Sequence, residues 1–413
     1  MTIFLKPILL MALLTLTATV PAAAANRLLV QDGDRVMFIG DDATLRFGYT
    51  RMVEAYFTLR YPDSKIRWFN LGWNDTALTR LSRWPRDVTE LKPTVAVISF
   101  GMNDGGFAPL DREHRDNFER GLTGLIDALQ RDRIQVILLT PNFVDPDSDA
   151  TGRIHQTGWS YNETLAELAR ETTKLTERKR VPVADAFPLM LDVQTRAKRD
   201  NPKFTMLPDG IYPHPNGHAV SALALFKALG ATEPAAALSI DAANRRTKTD
   251  RCRIDNLTIS DQAITFARTD AALPAPLLPD TAPNARYLPQ AVEFNQYRFQ
   301  VTGLKAPRWK LVVEGIDAGT FSNTELAGGV NLAGRPGPWQ ALAKEVDGLM
   351  MKEQGQIAQR WVYLSQYVPP AEVKPAFEFC LKEVDAWLDT FQQQRLAAVK
   401  PRAWNWKLTA VER

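Results

Sequence analysis

Val36-Met37-Phe38-Ile39-Gly40-Asp41-Asp42-Ala43-Thr44 is the stretch that decides the fold. The run from Val36 to Ile39 reads as a short buried strand, and Gly40 stops it. Asp41 and Asp42 therefore stand at a strand's carboxyl end, the edge where ligands bind in open α/β sheets because the loops converge there. Taken alone, two acids in such a loop read as a turn and a helix N-cap. The segments around them carry the argument further.

From residue 35 to residue 230 short β-rich runs alternate with helix-patterned stretches. Strands are expected at 65–70, 95–100, 136–139 and 181–185, and helices at 51–59, 112–130, 161–179 and 217–229, where apolar residues recur at three- and four-residue spacing. That alternation is the signature of a parallel sheet wrapped on both faces. After Pro234 the texture changes. Residues 252–267 read as two strands joined at Ser260-Asp261, and 271–284 as a Pro- and Ala-rich linker. Strands at 297–302 and 309–313 follow, then long helices at 340–364 and 371–398 broken by Pro369-Pro370. Trp404-Asn405-Trp406 reads as packing.

Residues 1–25 stand apart from this pattern. Lys6 supplies a positive start, residues 8–20 an apolar core too short to span a bilayer, and Ala22-Ala23-Ala24-Ala25 a small-residue cleavage site. A signal peptide implies a periplasmic or secreted protein of roughly 390 residues. The remaining chain offers no run long and apolar enough for an integral membrane segment. With 45% hydrophobic and 23% charged residues the composition is ordinary for a globular protein. The net charge of +3 falls to +2 once Lys6 leaves, which gives no argument for nucleic acid or an anionic membrane as partner. Two cysteines, Cys252 and Cys380, permit one disulfide in an oxidising compartment, but their spacing says nothing of their distance.

Four blocks carry the chemistry: Gly40-Asp41-Asp42, Asn70-Leu71-Gly72, Gly101-Met102-Asn103-Asp104, and Asp209-Gly210-Ile211-Tyr212-Pro213-His214-Pro215-Asn216-Gly217-His218. On these blocks the chain resembles the SGNH (GDSL-type) hydrolase family, in its exported bacterial branch with a C-terminal extension. The resemblance implies an α/β fold, a three-layer α/β/α parallel sheet of flavodoxin-like type, over residues 26–234. A C-terminal β module with returning helices would fill 235–413. It also implies a small-molecule or glycan ester as ligand, with no cofactor.

In that family a serine after Gly-Asp attacks, a glycine and an asparagine complete an oxyanion hole, and Asp-x-x-His supplies the base and its orienter. A hydroxyl needs such a base, and the tetrahedral intermediate needs donors aimed at its oxygen. Carried over by position, Gly72 and Asn103 fit the oxyanion donors and Asp209 the orienter. Asp42 falls on the nucleophile and Tyr212 on the base. His218 matches a downstream histidine that caps or packs the last helix, and His214, two residues beyond Tyr212, is the candidate for a relocated base. Asp42 does not replace serine in ester cleavage: its attack would give a mixed anhydride, and a carboxylate is a weak nucleophile toward acyl carbon.

Three readings stay open: an exported pseudo-esterase that binds carbohydrate or acylated ligands without turnover, an active carbohydrate acyl esterase with a relocated base, and metal or Asp-nucleophile chemistry. The metal reading would bring Asp41, Asp42, Asn103 and Asp209 together.

Overall fold

The computed structural model describes residues 28–149, 151–156, 158–231, 233–275, 287–288, 293–364 and 367–411. Residues 1–27, where a signal peptide is expected, and most of the expected 271–284 linker lie outside them.

The first sheet runs β2-β1-β3-β4-β7, every pair parallel. It is built from β1 (Arg35–Gly40), β2 (Arg67–Asn70), β3 (Val95–Ser99), β4 (Gln135–Leu139) and β7 (Val183–Ala184), while β5 (His155–Gln156) and β6 (Trp159–Ser160) form a small hairpin above it. The strands read as continuous apolar runs because both faces are covered. On β1, Val36 and Phe38 join the core beneath α2 (Gly48–Arg60) and the last helix of the unit, Pro215–Ala228. Met37 and Ile39 join the core on the opposite face, beneath α3 (Ala77–Leu91) and α4 (Arg112–Arg131). A short helix α1 (Asp42–Leu45) follows β1 directly, then α5 (Tyr161–Lys179) and α6 (Ala186–Asp200) complete the layers, and Pro215–Ala228 is α7. This is the expected three-layer α/β/α arrangement.

The extension is two facing sheets. One has the order β10-β11-β16-β13-β14, all antiparallel, from β10 (Cys252–Ile259), β11 (Ala263–Asp270), β13 (Arg308–Val313), β14 (Ile316–Ser322) and β16 (Ala403–Ala410). The strand nearest the C-terminus lies in its middle. The other has the order β15-β12-β8-β9, from β8 (Ala236–Asp241), β9 (Arg246–Asp250), β12 (Tyr297–Thr302) and β15 (Val330–Asn331), with β12 and β8 parallel. Between the sheets, Phe266, Phe299 and Trp406 pack ring on ring, with Phe266 and Trp406 stacked at 5.6 Å. Arg268, fully buried among them, pairs with Asp270 at 2.7 Å, and Asp270 also accepts from the Tyr297 hydroxyl at 2.7 Å. Cys252 and Cys380 are both free thiols.

After a short helix α8 (Asn323–Gly328), helices α9 (Pro338–Ile357) and α10 (Lys374–Ala398) return to the first sheet. They meet α2 through a buried polar cluster. Arg395 on α10 lies 3.6 Å from Glu54 on α2 and 3.3 Å from Glu353 on α9, and it donates to Thr58 Oγ1 at 2.6 Å. Gln354 Nε2 donates to Glu54 Oε2 at 2.7 Å. All four of Glu54, Glu353, Gln354 and Arg395 are about 2% exposed or less. Burial is the largest influence on Glu54 and pushes its carboxyl up to about 8, against the pull of Arg395. Among the described residues no helix is long and apolar enough to cross a membrane.

Candidate active site

Asp41 shapes the turn that ends β1. Its carboxylate accepts from Ala43 N at 3.1 Å, capping α1, and from Met102 N at 3.3 Å, tying the first block to the third. Burial pushes Asp41 up to about 7, with Asp104 and Asp42 adding to the shift. Gly40 is required by space: a Cβ there would stand 2.1 Å from Thr44 Oγ1 and 2.5 Å from the Ser99 carbonyl oxygen. Thr44 in turn bonds the Tyr49 hydroxyl at 2.7 Å, which fixes the start of α2 against the turn. Asp41 thus holds the loop, and Asp42 is left partly exposed at its crest.

Asn103 stands beside it. Its Nδ2 lies 3.2 Å from Asp42 Oδ2, 3.1 Å from Asn74 Oδ1 and 3.1 Å from the Asp75 carbonyl oxygen. The structure therefore brings the first and third blocks together as expected, with the carboxylate of Asp42 on the amide that would serve an oxyanion. Gly72 is placed differently. Its N–H donates to Asn70 Oδ1 at 2.9 Å, and a Cβ on it would come 2.2 Å from Leu45 N. Close packing beneath α1 accounts for this glycine, and its donor is already engaged. Asn74 and Asp75, just beyond the second block, are the residues from that loop that meet Asn103. The Asp75 carboxylate itself faces Arg80 and Arg83, at 3.6 and 3.5 Å.

The fourth block folds into a turn before α7. Asp209 Oδ1 accepts from Ile211 N at 3.0 Å and from Tyr212 N at 2.8 Å, an Asx-type turn that orders the loop. The ring of Tyr212 lies under the guanidinium of Arg46, 3.6 Å from Cζ to the ring centroid. His214 is the exposed N-cap residue of α7, without a side-chain cap bond. Arg46, Pro208, Asp209, Tyr212, Pro213 and His214 line one open cleft of about 310 Å³. The structure unites Asp209, Tyr212 and His214 with Arg46 around this cleft. Arg46 went unremarked in the motifs, although its position four residues past Asp42, one helical turn on, is the signal that could have found it.

His218 lies inside, 4% exposed, with its ring where a Cβ on Gly48 would be, 2.0 Å from His218 Cδ2. Burial, helped by Arg51, Arg46 and His214, lowers its pKa to about 3, so it is a neutral packing residue of α7. Asp104 Oδ1 accepts from Ala77 N at 2.8 Å at the head of α3, and burial pushes its carboxyl up to about 7. Among the described residues no group of three or more His, Cys, Asp or Glu side chains is placed to hold a metal ion. Asp41 faces backbone donors while Asp209 belongs to the other loop, so the carboxylates of the metal reading do not converge.

A parallel three-layer sheet with its loops meeting above β1 and β3 defines the class of protein. Residues 38–220 match the model of the GDSL-like lipase/acylhydrolase family. No curated protein matches the chain. Among solved structures it is similar to a gut microbial diltiazem-metabolizing enzyme, with a TM-score of 0.77 and 20% identity over 94% of this chain and 100% of that one. That similarity spans both the parallel sheet and the extension, which makes the whole architecture a recurring one. Weaker similarity, TM-score 0.40 over 49% of this chain, links it to an alpha/beta hydrolase enzyme from the metagenome of Lake Arreo, Spain, at 22% identity over 98% of that chain. An acetylxylan esterase from Geobacillus stearothermophilus matches at the same score, 23% identical over 96% of its length.

Proposed function

We propose that this chain is an exported GDSL-like protein that does not turn over esters and uses its retained cleft to bind a carbohydrate or acylated ligand. In this reading residues 26–234 are the hydrolase-like unit and 235–413 an extension docked on it. One observation carries the reading: the Asp42 carboxylate accepts from Asn103 Nδ2 at 3.2 Å. The donor that an ester hydrolase keeps for a developing oxyanion faces a standing negative charge. Two unit charges 4 Å apart oppose each other by about 4 kcal/mol at an effective dielectric of about 20. A single oxyanion donor contributes about 3 to 4 kcal/mol, so Asp42 cancels what Asn103 would supply. Tyr212, stacked beneath Arg46, offers no imidazole to take a proton.

The test compares the mature chain with the Asp42→Ser, Tyr212→His double variant on aryl acetates and acetylated sugars. No turnover by the wild type and turnover by the double variant are expected. Wild-type turnover that disappears in Asn103→Ala would refute the reading. A relocated-base mechanism is the second reading, favoured by the exposure of His214 in the cleft, and it requires that wild-type turnover vanish in His214→Ala as well.

A further inference from the structure

The charges around the cleft are unequally matched. Both acids beside it are engaged by donors: Asp209 Oδ1 by the backbone N–H groups of Ile211 and Tyr212, and Asp42 Oδ2 by Asn103. Arg46 has no carboxylate partner among the described residues, and its contact is with the face of Tyr212 at 3.6 Å. At that separation the guanidinium lies against the ring and no N–H has room to point into it. Arg46 is exposed, so a guanidinium stacked in this way keeps its N–H groups off the ring and available to a ligand, the presentation that suits bidentate recognition of a flat anion. Tyrosine stacking also limits the rotamers Arg46 samples, so less freedom is lost when a ligand is gripped. His214 adds an imidazole on the same cleft, exposed and without a side-chain bond in the helix cap. Pro208 and Pro213 supply apolar wall, and about 310 Å³ is room for one sugar ring or a small organic acid.

We propose that this cleft binds a carboxylate, with Arg46 on the Tyr212 ring as its principal contact and His214 as a second donor. The inference rests on the non-hydrolytic reading above and names its ligand chemistry: the protein takes the acid, where a hydrolase of this fold takes the ester. A carboxylate reaches such a cleft either as a sugar acid or as a free organic acid, and the two share the chemistry that Arg46 reads.

Titration calorimetry of the full mature chain with D-glucuronate, D-glucuronate methyl ester and butyrate separates the outcomes. Glucuronate is expected to bind at least about 10-fold more tightly than its methyl ester, because the ester removes the charge-assisted pair. Arg46→Met, which keeps the side chain's length, should abolish that preference, and Arg46→Lys should retain part of it. Binding of glucuronate alone assigns the ligand to sugar acids, whereas equal binding of butyrate assigns it to carboxylates at large. Equal affinity for acid and ester in the wild type, an unchanged preference in Arg46→Met, or no saturable binding of any of the three overturns the proposal. Turnover of aryl acetates would refute the non-hydrolytic reading on its own, and a missing acid preference without turnover refutes only the inference.

Discussion

Replacing Glu54 by Gln tests the polar cluster that joins the returning helices to α2. Two buried carboxylates, Glu54 and Glu353, face the single guanidinium of Arg395, and Asp347 adds a further negative influence on Glu54. Arg67 and Asp389 act on Glu353 from the other side. Burial outweighs the pull of Arg395 on Glu54, whose carboxyl is raised to about 8 and keeps its proton below that pH. A carboxyl raised in the folded state binds more protons there than in the unfolded chain at every pH between its ordinary value and about 8. Stability therefore falls as pH rises through that window, and is flat beyond it. At about 1.4 kcal/mol for each pKa unit, the fall attributable to Glu54 is on the order of 3 to 5 kcal/mol between pH 5 and pH 8.5. Glu54→Gln removes the titration while keeping an acceptor for Gln354. The variant should match the wild type within about 1 kcal/mol at pH 5 and exceed it by several kcal/mol at pH 8.5, because replacing a buried ionisable group by a neutral one is neutral or stabilising. Urea unfolding followed by tryptophan fluorescence at the two pH values reads the difference directly. A variant less stable than the wild type at pH 8.5 would refute the reasoning, since Glu54 would then be an ionised partner of Arg395.

Three further outcomes are expected. Arg395→Met should cost about 3 to 5 kcal/mol at pH 8, where it strands buried carboxylates, and clearly less at pH 5 where protons replace the cation, as denaturant midpoints will report. His218→Gln should flatten the acid limb of stability: a histidine held near 3 in the folded chain binds fewer protons than its unfolded counterpart, so its contribution is lost as pH falls from about 6.5 toward 3. Gly40→Ala should lower stability by about 1 to 3 kcal/mol or more, seen as a drop in Tm, because one of the atoms its Cβ meets is the Ser99 backbone oxygen, which cannot swing aside.

Much of the first sheet is legible because its strands are buried on both faces and so appear as unbroken apolar runs. Residues 95–100 and 136–139 correspond to Val95–Ser99 and Gln135–Leu139 within one residue at either end. Helices α3 and α6 are harder to see: each carries a proline inside, Pro85 and Pro188, which reads as a break although both helices continue through it. In the extension, β9 is exposed at every position and gives no alternation to read. The tryptophans at 404 and 406 are recognisable as packing residues, yet with Leu408 they also mark every second position of a strand, a pattern of period two that the short run conceals. At the site, Asp42 and Asn103 are brought together as their blocks suggest. What the motif cannot convey is which donors are already engaged, as with Gly72, or that a residue outside the motif, Arg46, lies over Tyr212. Those depend on side-chain directions in irregular loops, which no periodicity encodes.

The position of β16 governs the order in which the extension can assemble. Its seven-rung pairing with β11 and its pairing with β13 place a strand drawn from residues 403–410 between partners drawn from 263–270 and 308–313. Until that strand arrives, β11 and β13 each present an unpaired edge, and the rings of Phe266 and Phe299 lack the Trp406 they pack against. A nascent chain emerging from its N-terminus must therefore hold this half open to the end, whereas the parallel sheet is complete by residue 184. Shortening the chain by a dozen residues would remove the keystone of the extension while leaving the cleft's own residues untouched, so the two halves are expected to answer very differently to truncation from the C-terminal side.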